Sequence, residues 1–564
     1  MGITLLINVI AVFFSILPDH DPALYAVIAK HMTLSNNWVD LILNHAGWLD
    51  KPHFPFWITA LSFKLFGISS FTYIFPGFLF YLLGAYYTYV LACYLFNEPI
   101  GLFSVLMYLT SAHLMVSSVD IRAEAYLLGT IMPACYYWLR YHDSPGMTFD
   151  YLFLGAVFTA MAIMTKGIFV LVTIVGGLFA LGLYHRVVAY ERPKNVASFI
   201  LKWGIALVLS LIFIAPELVT LYLQFDRHPE QIVFQHTHVS GLEWFFWDSQ
   251  IGRFFNNGPI TGHIHSYHYL FFIYTFLWSF LPWTFIFIAA IYRVVRSFLK
   301  DKSFITVQQK RAYIYLLGSF MPTFVMFSAC LFQLDHYINI IVPFAAIMCA
   351  EWIYNIACKR KKIVFPRFVT RVFRAQIILS VVLTFLILLL DIAIFRQITV
   401  LIFILTLGIF LAFILLSTQS QAFKAIVYAT LSINLVFIFF IVVNRSNYIN
   451  YDVGYKIAQY LKYQTPHLIV EYKESSMTLA FHSDVGSTVI VDNPTQLFMQ
   501  PKPYYLVVRR GNLTEIEPFL GDYQIIMQTT GLYFINNPLK IMISSLSKSG
   551  LESKLIHYLL IRKR

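Results

Sequence analysis

Apolar runs of about twenty residues recur through the chain as far as position 443, and no other feature constrains the fold as strongly. A helix of that length crosses roughly 30 Å of hydrocarbon. A chain that repeats it must satisfy its backbone inside helices or a closed barrel. The ten-residue alternation of a membrane barrel is absent, so the reading is an all-α polytopic membrane protein. Thirteen spans fall near 2–17, 71–96, 100–117, 123–141, 150–165, 167–185, 203–223, 267–291, 313–332, 337–357, 376–394, 397–416 and 425–443. Only 12% of the 564 residues are charged, about half the share of a soluble protein. The net charge of +12 does not call for a nucleic-acid partner, because basic excess in a membrane protein gathers in cytoplasmic loops. The five cysteines lie in or at the ends of apolar runs, without metal-like spacing or a disulfide framework. The first run has no basic flank and no small-x-small cleavage site, so it reads as a retained helix.

Basic residues set the orientation. With a cytoplasmic N-terminus, the clusters Arg186–Lys202, Arg293–Arg311 and Lys359–Arg374 fall on one side, together with Arg140 and Lys424. The first loop, 18–70, then lies outside with the segment around Asp120, the loop 224–266, Asp335-His336 and the tail. The transmembrane domain is 1–445, and Ala23–Leu34 and Pro55–Leu65 in its first loop pattern as interfacial helices. From 446 to 564 the composition changes. Strand-like runs at His467–Glu471, Thr488–Val491 and Tyr504–Val508 mark a small soluble α/β domain.

The polar residues of that outer face are the candidates for chemistry. Asp19, Asp21 and Asp50 suit a general base or a cation ligand, or are ordinary loop carboxylates. Asp21 before Pro22 reads as an N-cap with proline at N1, with Tyr25, Ile28, Ala29 and Met32 following at helical spacing. Lys51 is a compact charge suited to phosphate, or pairs with Asp50. Asp120, Arg122 and Glu124 stand at a bilayer boundary, where ionisable groups face cavities; an Arg122–Glu124 pair is the plainer alternative. Lys166, between two spans too close for a loop, either snorkels to the interface or binds phosphate. The loop 224–266 is rich in histidine, including His263 and His265, and Arg253 within it could meet an anionic head group. Carboxylates and cations at one membrane face fit a substrate with a phosphate and a lipid tail.

Six motifs stand in order along the chain: Asp21 with Tyr25-Ala26-Val27-Ile28-Ala29 and Met32; Asp50-Lys51-Pro52 with Phe56-Trp57; Thr165-Lys166-Gly167; Arg253-Phe254; Leu281-Pro282-Trp283; and Phe327-Ser328 with Leu334-Asp335-His336-Tyr337 and Pro343. Together they resemble the integral-membrane glycosyltransferases of the GT-C fold, in the branch of aminoarabinose–lipid A transferases and protein O-mannosyltransferases. The chain departs from that pattern where Pro22 follows Asp21 in place of a second acid, which leaves Asp19 or nothing in that role, and where Glu124 stands for a more usual aspartate.

The resemblance implies inverting transfer of a sugar from a polyprenyl-phosphate donor (undecaprenyl, or dolichyl in a eukaryote) to an acceptor hydroxyl or phosphate. The acceptor would be a lipid A-type glycolipid, a protein or an envelope glycan, and the setting the outer face of a bacterial inner membrane. Asp21 would be the general base. Lys51, Arg122, Lys166 and Arg253 would hold the donor phosphate, and Asp19, Tyr25, Asp120, Glu124, His336 and Tyr337 would line the site. Asp50 with His265, counted back from Pro282, or with His263, would bind a divalent metal, zinc or magnesium. The competing class is a transporter or flippase of a lipid-linked or anionic substrate. Against it stand the lack of an inverted repeat and the clustering of ionisable residues at one face rather than the midplane.

Overall fold

The structure, a computed structural model, describes the chain except residues 45, 188–195, 263–266, 300–305, 358–365, 396–398, 465–467, 484–487, 532–554 and 564. Helices stand at every one of the thirteen apolar runs. The chain opens with α1 (Gly2–Phe14), α2 (Asp21–Ser35) and α3 (Phe54–Phe66), with a two-residue ladder of β1 (Ile42–Leu43) and β2 (Ala46–Gly47) between the last two. Then come α4 (Ser70–Leu95), α5 (Glu98–Leu109), α6 (Ala112–Ser117), α7 (Ala123–Asp143), α8 (Phe149–Lys166), α9 (Val170–Val187) and α10 (Val196–Leu221). The second half adds α11 (His268–Ser279), α12 (Thr284–Leu299), α13 (Val307–Ala329), α14 (Val342–Ala357), α15 (Pro366–Phe395), α16 (Val400–Leu415) and α17 (Gln421–Tyr451). The chain is an integral membrane protein. Among the described residues eight helices are long and apolar enough to span a bilayer, or nine if the bent pair α11–α12 counts as one. The helices α1, α5 and α16 are shorter, so the thirteen runs are not thirteen full-length spans. Helix α7 is buried along most of its length.

Local chemistry explains several of these ends. A capping box of Ser69 and Thr72 starts α4, and Thr306 with Gln309 starts α13. Asn97 caps α5, with a proline in its first turn. The run 267–291 forms two helices meeting at 115°, because Pro282 offers no backbone donor at the joint. The joint is tied down by its neighbours: Leu281 O accepts from Ala112 N at 2.8 Å, and the buried Trp283 indole donates to Thr110 Oγ1 at 3.0 Å.

The tail holds α18 (Val453–Leu461), β3 (Leu468–Tyr472), α19 (Met477–His482), β4 (Thr488–Val491), β5 (Tyr504–Arg509), α20 (Leu513–Leu520), β6 (Tyr523–Gly531) and β7 (Ile556–Lys563). The sheet runs β4-β3-β5-β7-β6, parallel across the first three strands and antiparallel beyond. Alternate residues face opposite sides of a strand, and each side has its own core. Val470, Leu506 and Val508 pack with Ile516 and Leu520 of α20; Ile469, Tyr505 and Val507 pack with Ile457 and Leu461 of α18.

Candidate active site

The first loop brings its charges to the ends of three membrane helices. Asp21 is the first residue of α2, and His20, not Asp21, holds the N-cap position. No side chain caps α2, because the Asp21 carboxylate is engaged elsewhere: Arg122 Nη1 donates to its Oδ2 at 3.0 Å. Arg122 stands at the N-cap of α7. Its Nε lies 3.3 Å from Asp120 Oδ2, and its Nη2 donates to His20 Nδ1 at 3.4 Å. A guanidinium only donates, so it fixes His20 Nδ1 as the acceptor. Burial holds the His20 imidazole below its ordinary pKa against the pull of Asp120. Burial also pushes Asp120 upward, but Arg122 and His20 outweigh it and hold this carboxyl below the usual range. Its Oδ1 is buried and finds no hydrogen-bond donor among the described residues.

The Arg122–Glu124 pair that sequence proximity suggests does not form. Glu124, within the first turn of α7, pairs instead with Lys166 at the end of α8. Lys166 does not snorkel: it is buried with Glu124, and its Nζ lies 3.7 Å from the centre of the Tyr337 ring, a cation–π contact. Gly167 explains the Lys-Gly pair. It ends α8 at φ +105, and a Cβ there would lie 2.0 Å from Gln250 Nε2. Gln250 accepts from Phe169 N at 3.2 Å and reaches Lys166 O at 3.4 Å. It sits in a π-helical turn, Trp244–Gly252, which delivers Arg253 next.

Arg253 and Lys51 both engage Asp50, Lys51 at 2.7 Å. Burial would raise the Asp50 pKa, but these two cations hold it well below the carboxylate range. Tyr25, buried in α2, packs edge-on against Trp48 and Phe56 at 5.9 and 5.5 Å, closing the space between Asp21 and the Asp50 turn. On the far side His336 Nε2 approaches Glu124 at 3.8 Å and its Nδ1 lies 3.3 Å from Asp335. His113 Nε2 stands 4.0 Å from the other Asp335 oxygen, and its Nδ1 meets Asn339 Oδ1 at 2.6 Å.

Asp21, Tyr25, Asp50, Lys51, Asp120, Arg122, Glu124, Lys166, Arg253, His336 and Tyr337 therefore come together. His20 and His113 join them without having been expected. The available signal for His113 is a histidine inside the apolar run 100–117; His20 has only its place beside Asp21. Asp19 does not belong to the cluster: its carboxylate turns toward the tail domain and accepts from Met477 N at 2.8 Å. His265 and His263 lie outside the described residues. Asp50 is held by Lys51 and Arg253; the histidines that would share a metal with it are those undescribed residues, and among the described residues no group of three His, Cys, Asp or Glu is placed to hold one. Exposure separates the acids. The Asp21 side chain is 46% exposed, against 26% for Asp50 and 3% for Glu124. It is the carboxylate of these three that an incoming group reaches most readily.

This architecture has solved counterparts. Over 99% of this chain and 96% of the other, it superposes on the crystal structure of ArnT from Cupriavidus metallidurans bound to undecaprenyl phosphate, with a TM-score of 0.71 at 17% identity. The chain has the GT-C fold. The apo form of that ArnT superposes on the same GT-C frame with a TM-score of 0.68. In sequence, residues 50–219 match the family described as dolichyl-phosphate-mannose-protein mannosyltransferase. Two curated relatives are undecaprenyl phosphate-alpha-4-amino-4-deoxy-L-arabinose arabinosyl transferases. The one from Proteus mirabilis is 24% identical over 60% of this chain, and the one from Edwardsiella ictaluri is 26% identical over 61%. The match spans 56% of each relative's length.

Proposed function

We propose that this chain is an inverting glycosyltransferase that moves a sugar from a polyprenyl-phosphate donor to a hydroxyl or phosphate group on a lipid, protein or envelope-glycan acceptor, on the extracytoplasmic side of a bacterial inner membrane. The observation that carries the reading is the half-exposed Asp21 carboxylate set against Arg122, in one cluster with Lys51 and Arg253 on Asp50 and Lys166 on Glu124. The names of the relatives and of the superposed ArnT support the donor class.

Asp21 takes the proton of the acceptor hydroxyl as its oxygen attacks the anomeric carbon. The bond from that carbon to the phosphate oxygen breaks, and the electron pair leaves with the phosphate. The diester becomes a monoester and gains one negative charge, which cations already in place stabilise without reorganising. Lys51 and Arg253 are held side by side by Asp50, and Lys166 by Glu124, so their positions are set before the donor enters. The Arg122 contact aims Asp21, so placement contributes alongside basicity.

The test is turnover by purified protein in detergent, given a polyprenyl-phosphate sugar and a lipid A-type acceptor. Release of free polyprenyl phosphate is expected from the wild-type chain and its loss, by at least a hundredfold, from Asp21→Asn. Near-normal turnover in that variant would remove Asp21 from the reaction, and no release with any donor would remove the reaction.

A further inference from the structure

Asp19 and Lys30 flank Asp21 in sequence, yet both side chains leave the cluster and meet the same short helix of the tail domain. At the start of α19, Asp19 Oδ1 accepts from Met477 N at 2.8 Å and Thr478 N at 3.2 Å, and Oδ2 accepts from Ser476 Oγ at 3.1 Å. At its other end, Lys30 Nζ donates to the carbonyls of Ala480, Phe481 and Ser483 at 3.1, 2.9 and 2.8 Å. Between these grips Phe481 is buried in the membrane-domain core, with its ring 6.0 Å from Phe63.

The far side of α19 is fitted as closely. The Ser476 and Thr478 hydroxyls lie 3.0 Å apart, and Thr478 Oγ1 donates to Asp452 Oδ1 at 2.9 Å. Asp452 also caps α18 by accepting from Tyr455 N at 2.6 Å. Gly454 makes this approach possible, since a Cβ there would stand 2.0 Å from Ser476 Oγ and 2.5 Å from Thr478 Oγ1. The first turn of α2, by contrast, has no side-chain cap of its own. Its orientation is set from outside, by Asp19 before it and Lys30 within it.

We propose that α19 is a positioning element of the active site: by gripping Asp19 and Lys30, the tail domain fixes the start of α2 and so holds the Asp21 carboxylate opposite Arg122. Asp19 and Lys30 are positioning residues and touch no substrate. The proposal rests on the reading of Asp21 as the base. The donor-phosphate cations Lys51, Lys166 and Arg253 are held by other partners, so loss of the grip slows the chemical step and leaves donor binding alone.

The experiment uses the full chain in detergent with Asp19→Ala, Asp19→Asn, Lys30→Met and Gly454→Ala, the last of which disturbs the grip without altering α2. Two quantities are read: kcat and KM with a polyprenyl-phosphate sugar, and amide hydrogen exchange over residues 18–25, with exchange in α13 as the control for the fold. Asp19→Ala, Lys30→Met and Gly454→Ala are expected to lower kcat about tenfold or more with KM within twofold. Exchange over 18–25 should rise at least tenfold while α13 is unchanged. Asp19→Asn keeps an acceptor oxygen and is expected to recover most of both. Unchanged exchange over 18–25 in Asp19→Ala and Gly454→Ala would overturn the proposal, as would faster exchange with kcat intact or a loss expressed only in KM. Exchange needs no turnover, so a wild-type chain inactive with every donor defeats the functional reading, while exchange still decides whether α19 holds the loop.

Discussion

Arg122 meets three acceptors of different sequence origin, and its choice among them separates local reading from tertiary outcome. Proximity in sequence favours Glu124, but both belong to the start of α7, and the guanidinium turns toward the first loop and Asp120. Glu124 is thereby left to Lys166, and the two charges are buried together at 3% and 6% exposure. Removing one partner of a buried pair typically costs about 3–5 kcal/mol, because the other charge stays desolvated. Glu124→Gln should therefore lower the thermal midpoint in detergent markedly, and Glu124→Gln/Lys166→Met should recover most of that loss while remaining poor in turnover. A single variant as stable as wild type would mean that Lys166 finds another partner. On the proposed reading Arg253→Ala acts differently: it removes one of two cations at Asp50, so it should raise the KM for the donor about tenfold or more, checked by initial rates at varied donor.

Among the elements, the membrane helices and the first three tail strands are legible in the sequence, and the junctions are not. Apolar length locates the helices of the thirteen runs but not the tail helices α18, α19 and α20, and the strand-like runs at 467–471, 488–491 and 504–508 fall on β3, β4 and β5 within a residue or so, with β6 and β7 unforeseen. Periodicity does not carry information about where a helix stops to place a side chain. Asp21-Pro22 reads as cap and first residue, but the helix begins one residue earlier because Arg122 takes the carboxylate that would cap it. Thr165-Lys166-Gly167 reads as a junction between two spans too close for a loop; its physical content is a backbone at φ +105 with a glutamine amide pressed against it. Gly167→Ala should cost about 1–3 kcal/mol from backbone strain alone, and more from displacing Gln250. The check is the thermal midpoint of the variant against Gly146→Ala, where a Cβ would meet nothing within 4 Å.

At the scale of the whole molecule, the candidate site is legible as a set of residues but not as a set of pairings. The pairings join positions far apart in the chain, such as Asp50 with Arg253 and Asp19 with Met477. The tail domain adds an acid cluster that sequence gave no reason to connect with the first loop. Asp19, Asp452, Glu471 and Glu474 line one cavity, with Lys456 near Asp452 and Arg509 on Glu474. Burial and the charge of Asp19 push Asp452 up to about 7, and burial raises Asp19 to about 6 against its hydrogen bonds. Burial also lifts Glu471 well above its ordinary value. A carboxyl whose folded pKa lies above its unfolded one binds more protons when folded, so its contribution to stability falls as pH rises between the two values. The Asp452 contribution should accordingly fall between about pH 5 and pH 8, while His20 and His482, held below their ordinary values by burial, oppose it at the acid end, so across that window the wild-type thermal midpoint in detergent should lose more than that of Asp452→Asn. Asp50 and Asp120 titrate in the opposite sense, with stability lost only below about pH 4, outside this window. A pH dependence of the midpoint that is the same in Asp452→Asn as in the wild-type chain would contradict the assignment.

The grip on α19 also fixes an order of events during synthesis. Asp19 and its partner Thr478 are separated by 459 residues. At ~5–20 residues per second, the first loop leaves the ribosome roughly half a minute to a minute and a half before the helix that holds it exists. By the end of that interval all the residues of the cluster have been made, and Asp21 has still not been set by the tail. A nascent chain halted short of residue 476 would carry the complete set of charged side chains, its cations already paired, and lack only the alignment of Asp21, so activity is switched on by the last fifth of translation.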